Sequence, residues 1–129
     1  MNIPRNQSYT KTHEWIRKQG DRVVVGITDY AQHEISDIVF VELPKVGQEV
    51  AQAKAICVVE SVKAAFDIYS PVSGIIKSIN TALEADPSLA NREPYGNGWF
   101  FEVMPSNSTE FDGLLSADRY EEFIKQAAH

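Results

Sequence analysis

An all-β-dominated domain with short helices is the fold class this sequence predicts, and three observations predict it. The apolar runs are short and rich in β-branched residues, as in Ala55-Ile56-Cys57-Val58-Val59 and Val23-Val24-Val25-Gly26-Ile27. That composition suits buried strands. Turn formers separate the runs: Gln19-Gly20-Asp21, Pro44 with Gly47, and Pro71 with Gly74. Sustained helical spacing of apolar residues is confined to the C-terminal part, about residues 108–128. At 129 residues one domain, 1–129, is expected, with its core over about 9–105.

Composition narrows the function classes. Hydrophobic residues are 43% and charged residues 23%, ordinary values for a soluble globular domain. The net charge of -6 argues against a nucleic-acid surface, which needs excess Lys and Arg. It favours steering toward basic partner surfaces. No apolar run approaches the roughly 20 residues needed to span a bilayer, and Met1 to Asn6 has no apolar signal region. No membrane partner is expected. The one cysteine, Cys57, fits a reducing compartment and reads as core. The histidines His13, His33 and His129 share no ligand spacing, so no metal site is predicted.

Each element follows from local pattern. Alternation after His13 predicts a strand through Lys18, and Arg22 to Ile27 returns as its hairpin partner. Asp29 is placed to cap a helix over 29–35, with Gln32 three residues on. So short a helix must pack on the sheet. Ile38 to Leu43 is a strand ended by Pro44, and Val46 to Val50 turns the chain back. Asn80 to Gly98, with Pro87, Pro94, Gly96 and Gly98, reads as one long irregular loop anchored by Tyr95 and Trp99. Trp99 to Met104 is the last strand. Phe111, Leu114 and Leu115 form a short stripe. Ser116 is set to cap a helix carrying Asp118 and Glu121 at its positive end. Tyr120, Phe123, Ile124 and Ala127 on that helix make a docking face.

The middle of the chain is a hairpin. Ala55 to Val59 leads in and Ala65 to Tyr69 leads out, so Glu60-Ser61-Val62-Lys63-Ala64 must reverse tightly. Lys63 then stands clear of the body on a flexible stem. From these residues alone it reads as a solvated loop charge.

Glu60-Ser61-Val62-Lys63-Ala64, followed by Tyr69-Ser70-Pro71-Val72-Ser73-Gly74, resembles the modified-lysine hairpin of lipoyl and biotinyl carrier domains. Val62 and Ala64 replace the methionines typical of biotin carriers, and Val62 replaces the Asp usual in lipoyl domains of 2-oxoacid dehydrogenases. Val62-Lys63-Ala64 after Glu60-Ser61 is instead similar to the H proteins of the glycine cleavage system. So are His13-Glu14-Trp15, Gly26-Ile27-Thr28-Asp29, Ala31-Gln32, Asp37 to Pro44, and Pro94-Tyr95-Gly96-Asn97-Gly98-Trp99. The resemblance covers about residues 9–125. Three positions depart from it: Tyr30 where His is common, Ser36 where Gly is common, and Phe66 where a small residue precedes Asp67.

The resemblance implies a barrel-sandwich hybrid of the lipoyl/biotinyl type, with short helices and a C-terminal helix. It implies lipoic acid in amide linkage to Lys63, with Glu60, Ser61, Val62 and Ala64 shaping the hairpin. Thr12, Glu14 and Asp67 are implied to line a cleft for the loaded arm. The implied role is a carrier without a catalytic centre, and no nucleophile–base pair or metal cluster is visible in the sequence. Glycine decarboxylase would pass an aminomethyl group to the arm. Aminomethyltransferase would remove the one-carbon unit, and lipoamide dehydrogenase would reoxidise the dithiol. A lipoate ligase or lipoyl transferase would attach the cofactor. A monomer in the bacterial cytoplasm is expected, or in the mitochondrial matrix for a processed eukaryotic form. The alternatives are an H-like lipoyl donor or relay protein, and a lipoyl domain of a 2-oxoacid dehydrogenase.

Overall fold

The computed structural model describes residues 1–127. Ala128 and His129, named above as the end of the C-terminal segment and as a histidine, lie outside the described residues, as does the Ala127 side chain. The strands and helices run β1 (Ser8–Tyr9), β2 (Glu14–Gln19), β3 (Arg22–Ile27), α1 (Asp29–Ile35), β4 (Ile38–Glu42), β5 (Glu49–Val50), β6 (Ala55–Ser61), β7 (Ala65–Tyr69) and β8 (Gly74–Ile79). Then follow α2 (Ala82–Ala85), α3 (Leu89–Arg92), β9 (Phe101–Pro105), a 3-10 helix (Ser108–Gly113) and α4 (Ala117–Ala127).

The strands form two sheets, one in the order β1-β2-β3-β9-β8-β5 and one in the order β4-β6-β7. Both sheets contribute to one core. Val23, Val25, Ile76 and Val103 come from the larger sheet, and Val41, Cys57, Val59 and Ile68 from the smaller. The architecture is therefore a β sandwich with helices at its margins, not a closed barrel. Cys57 lies inside it, and burial pushes its thiol up to about 12, as its reading as core implies.

Three local findings differ from the sequence reading. The N-cap of α1 is Thr28, not Asp29. Thr28 has extended backbone, and its Oγ1 accepts the Ala31 N–H at 3.2 Å. Asp29 is the first helical residue and accepts from Gln32 Nε2 at 2.7 Å. Next, Asn80 to Gly98 is not one irregular loop, because it contains α2 and α3. Each is a single turn, too short for a periodic pattern and held by the one side chain it buries, Leu83 or Ala90. Lastly, Ser8–Tyr9 pairs with β2. Two residues carry no alternation to read.

The loop is anchored by Tyr95 and Trp99 as expected, both packed against the cluster of Tyr9, Trp15 and Tyr120. Trp15 Nε1 donates to the Pro94 carbonyl at 2.8 Å, and the Tyr95 hydroxyl donates to the Asn2 carbonyl at 2.7 Å. Gly98 is needed because a Cβ there would sit 2.6 Å from the Glu93 carbonyl oxygen. Helix α4 docks through Tyr120, stacked on Tyr9 with ring centroids 4.7 Å apart, and through buried Ile124. His13 is part of this seam: its Nδ1 is 2.8 Å from the Tyr120 hydroxyl. The histidine is structural.

Candidate functional site: the Lys63 turn and the Glu14 cleft

Strands β6 and β7 pair through Glu60 opposite Ala65, leaving Val62, Lys63 and Ala64 as the reversal. Ser61 fixes its shape. The Ser61 N–H donates to the Ala64 carbonyl at 2.9 Å, and Ser61 Oγ accepts from the N–H groups of Lys63 and Ala64 at 3.1 and 3.2 Å. Ser61 is buried while Lys63 is exposed. The sequence thus places a rigid backbone under a free amine. Among the described residues no carboxylate lies within ion-pair distance of that amine.

Register assigns the surface around it. Phe40, Glu60 and Ala65 form one cross-strand row, and Glu42, Val58 and Asp67 the next. Opposite residues of a ladder share a face, so Glu42, Glu60 and Asp67 make an exposed acidic face beside Lys63. A bulge between Ile38 and Phe40 turns both Val39 and Phe40 outward. Phe66 lies opposite Val59 on the other face and stays partly exposed.

A cleft of about 250 Å³ opens at the far end of β7. One side is Thr10, Lys11, Thr12 and Glu14; the second is Tyr69, Ser70 and Pro71 with Gln52 and Ala53; the third is Gly113, Leu114 and Leu115. Its key group is Glu14, 1% exposed. Glu14 Oε1 accepts from the hydroxyls of Thr10 and Thr12 at 2.6 and 2.5 Å, and Oε2 accepts the Tyr69 N–H at 3.3 Å. Burial disfavours the anion more strongly than these donors favour it. The carboxyl is therefore pushed up to about 7.

The expected site residues divide into two places. Glu60, Ser61, Val62, Lys63 and Ala64 are together at the turn, and Thr12 and Glu14 are together in the cleft. The two places are separated by the length of β7, about 13 Å from Ala65 to Tyr69 at the rise of an extended strand. Asp67 lines neither. It is exposed midway along β7, on the face that alternation shares with Ala65 and Tyr69. Sequence reasoning did not find Thr10, Gln52, Leu114 or Leu115. Only Thr10 had a usable signal, since it is a hydroxyl four residues before a carboxylate. Among the described residues no cluster of His, Cys, Asp and Glu is built to hold a metal ion, and no helix is long and apolar enough to cross a membrane.

Known proteins are similar to this chain over nearly its full length. Residues 7–127 match the family model described as glycine cleavage H-protein. A glycine cleavage system H protein from Thermus thermophilus is 52% identical over 128 residues, 99% of this chain and all of that one. One from Methylacidiphilum infernorum is 51% identical over 125 residues, covering 97% and 98% of the two chains. The crystal structure of a glycine cleavage system H protein from Mycobacterium marinum superposes with a TM-score of 0.83 at 38% identity, covering 98% of this chain and all of that one. With the family match, the high identity and the shared fold all spanning nearly its full length, the chain belongs to the glycine cleavage H-protein family.

Proposed function

We propose that this chain is the carrier component of a glycine cleavage system, holding lipoic acid in amide linkage on Lys63. The observation that carries the reading is the Ser61-pinned turn, which presents one unpaired amine on fixed backbone. A ligase needs such a fixed, accessible nucleophile. The cleft fits the far end of such an arm. Leu114, Leu115, Pro71 and Ala53 offer apolar surface, and Glu14, Thr10 and Thr12 offer polar partners.

When bound, the lipoyl dithiolane would take up a one-carbon amine unit with two electrons and later give them up separately. The protein's part is positional and electrostatic. Ser61 holds the attachment point. Glu14 can receive a neutral group with its proton on and a cation with its proton off, because its titration lies near neutrality. A buried cation needs an anionic or hydrogen-bonding partner, and Glu14 with the two threonines supplies both. Asp67 stands between turn and cleft as a way station for a cationic arm.

The partners on this reading are glycine decarboxylase, aminomethyltransferase, lipoamide dehydrogenase and the ligase or transferase that attaches lipoate, met by a monomer in the cytoplasm. Acylation removes the Lys63 charge. The face then keeps Glu42, Glu60 and Asp67 and favours enzymes with basic rims around their active sites.

The test is exchange of the glycine carboxyl group with bicarbonate by glycine decarboxylase. Lipoylated wild type should support it and Lys63→Arg, which keeps charge and fold, should not. Exchange at the wild-type rate with the Arg variant would refute the assignment.

A further inference from the structure

Resting on the reading of the cleft just given, we infer that Glu110 is a positioning residue that holds one wall of the cleft in place. That wall is Gly113-Leu114-Leu115, where the 3-10 helix runs into α4. Its far end is fixed, since Leu115 and Tyr9 exchange backbone hydrogen bonds of 2.8 and 2.7 Å. At its near end the Ser106 N–H donates to the Ser73 carbonyl at 3.0 Å and Phe111 packs on the core, and Glu110 adds a side-chain tie to Ser73. The Ser73 N–H donates to Glu110 Oε1 at 2.7 Å, and Ser73 Oγ–H donates to Oε2 at 2.7 Å.

This clamp ties together the cleft's opposing sides. Ser73 follows Pro71 and Val72, and Pro71 lines the opposite wall. Ser73 Oγ also accepts the Gln52 N–H at 2.9 Å, and Gln52 Nε2 donates to the Pro71 carbonyl at 3.2 Å. One half-buried carboxylate thus links the 3-10 helix to the Gln52–Ser73 frame across 37 residues of sequence. Among the described residues no Lys or Arg forms an ion pair with Glu110, so its acceptors are given to Ser73. Between clamp and Leu115 anchor lies exposed Gly113, where the backbone is least restrained. Without Glu110 the span from Phe111 to Leu114 keeps the packing of Phe111 and Leu114 on the core and Lys18 over the Phe111 ring, but loses its side-chain tie to Ser73.

The experiment uses the full chain as Glu110→Ala, Glu110→Gln, Ser73→Ala and Glu14→Ala. The first readout is amide hydrogen exchange in the unlipoylated proteins. Losing a charge-assisted pair should speed exchange at Ser73 and Leu114 by about tenfold in Glu110→Ala. Glu110→Gln, which keeps an acceptor for the Ser73 N–H, should fall between, and Val25 in the core should not change. The second readout is release of the carried unit after lipoylation, loading and removal of the partner enzymes. Hydrolysis consumes one water and yields formaldehyde and ammonium, leaving a free thiol with no change of oxidation state. Both Glu14→Ala and Glu110→Ala should release faster than wild type, with Glu110→Gln and Ser73→Ala intermediate. If Glu110→Ala does not fold, the last two variants carry the comparison. Faster release from Glu14→Ala alone would overturn the role of Glu110 and leave the cleft standing. Wild-type release from both would overturn the cleft reading and the inference with it. Unchanged exchange at Ser73 and Leu114 would overturn the clamp itself.

Discussion

Glu14→Gln should gain stability relative to wild type as pH rises. In the folded chain the Glu14 carboxyl is pushed from 4.5 to about 7 by burial, against hydrogen bonds from Thr10, Thr12 and Tyr69. A carboxyl whose folded value is raised binds its proton more tightly folded than unfolded. Its contribution is therefore fully present below 4.5 and is lost as pH climbs through about 7. At 1.36 kcal/mol per pH unit that difference amounts to about 3 kcal/mol. Gln is neutral at every pH and its Oε1 still accepts from both threonines, while its Nε2 cannot accept the Tyr69 N–H, a cost that is the same at every pH. Denaturant unfolding of wild type and variant from pH 4 to pH 8 gives the difference directly, and other titrating groups cancel. The stability of the variant relative to wild type should rise by about 3 kcal/mol over that range. Parallel stability curves would show that Glu14 ionises as an ordinary carboxylate, and the proposed exchange of its proton for a cation would fail.

Three further outcomes follow from named contacts. Ser36, the C-cap of α1, is held at φ 71 and ψ -151, a region almost reserved for glycine; Ser36→Gly should raise stability by about 1 kcal/mol, seen as a higher denaturant midpoint. Burial holds His13 below the usual histidine range, partly countered by Glu34, so acid should loosen α4 as His13 is forced to charge. Near-ultraviolet circular dichroism of the Tyr9–Tyr120 stack should fade on acidification in wild type and lose that dependence in His13→Gln. Finally, the acidic face of Glu42, Glu60 and Asp67 should make partner binding salt-sensitive, because exposed charges are screened over about 8 Å at physiological ionic strength. The apparent KM of glycine decarboxylase for the lipoylated carrier should rise with salt, and a flat response would exclude electrostatic docking.

The turn was legible in the sequence because everything that shapes it is local. Two β-branched strands bracket five residues, and Ser61 lies two positions from Lys63. The longer strands were legible for the same reason, through Gly20, Pro44 and Gly74, while their pairing into two sheets was not. The cleft was not, since its sides come from residues 10–14, 52–53, 69–71 and 113–115, joined only by folding. Glu14 was suggested by family resemblance, while its burial could not be read from β2. That strand is covered on both faces at its start, with Glu14, Trp15 and Ile16 all buried, so the period of two disappears there. Helices α2 and α3 escaped for want of length. The cap of α1 was misassigned by one residue because Thr28 and Asp29 are both good caps, and the His13 carbonyl, which holds the Thr28 N–H at 3.0 Å, decides between them.

The most direct test of the carrier assignment is the mass of each proteolytic peptide after lipoylation by a lipoate ligase. One lipoyl group should appear on the peptide containing Lys63 and none on those containing Lys54 or Lys77, both also exposed. Lys63→Arg should remain unmodified. Lipoate on Lys54 or Lys77, or on the Arg variant, would contradict the claim that the Ser61-pinned turn selects the attachment site.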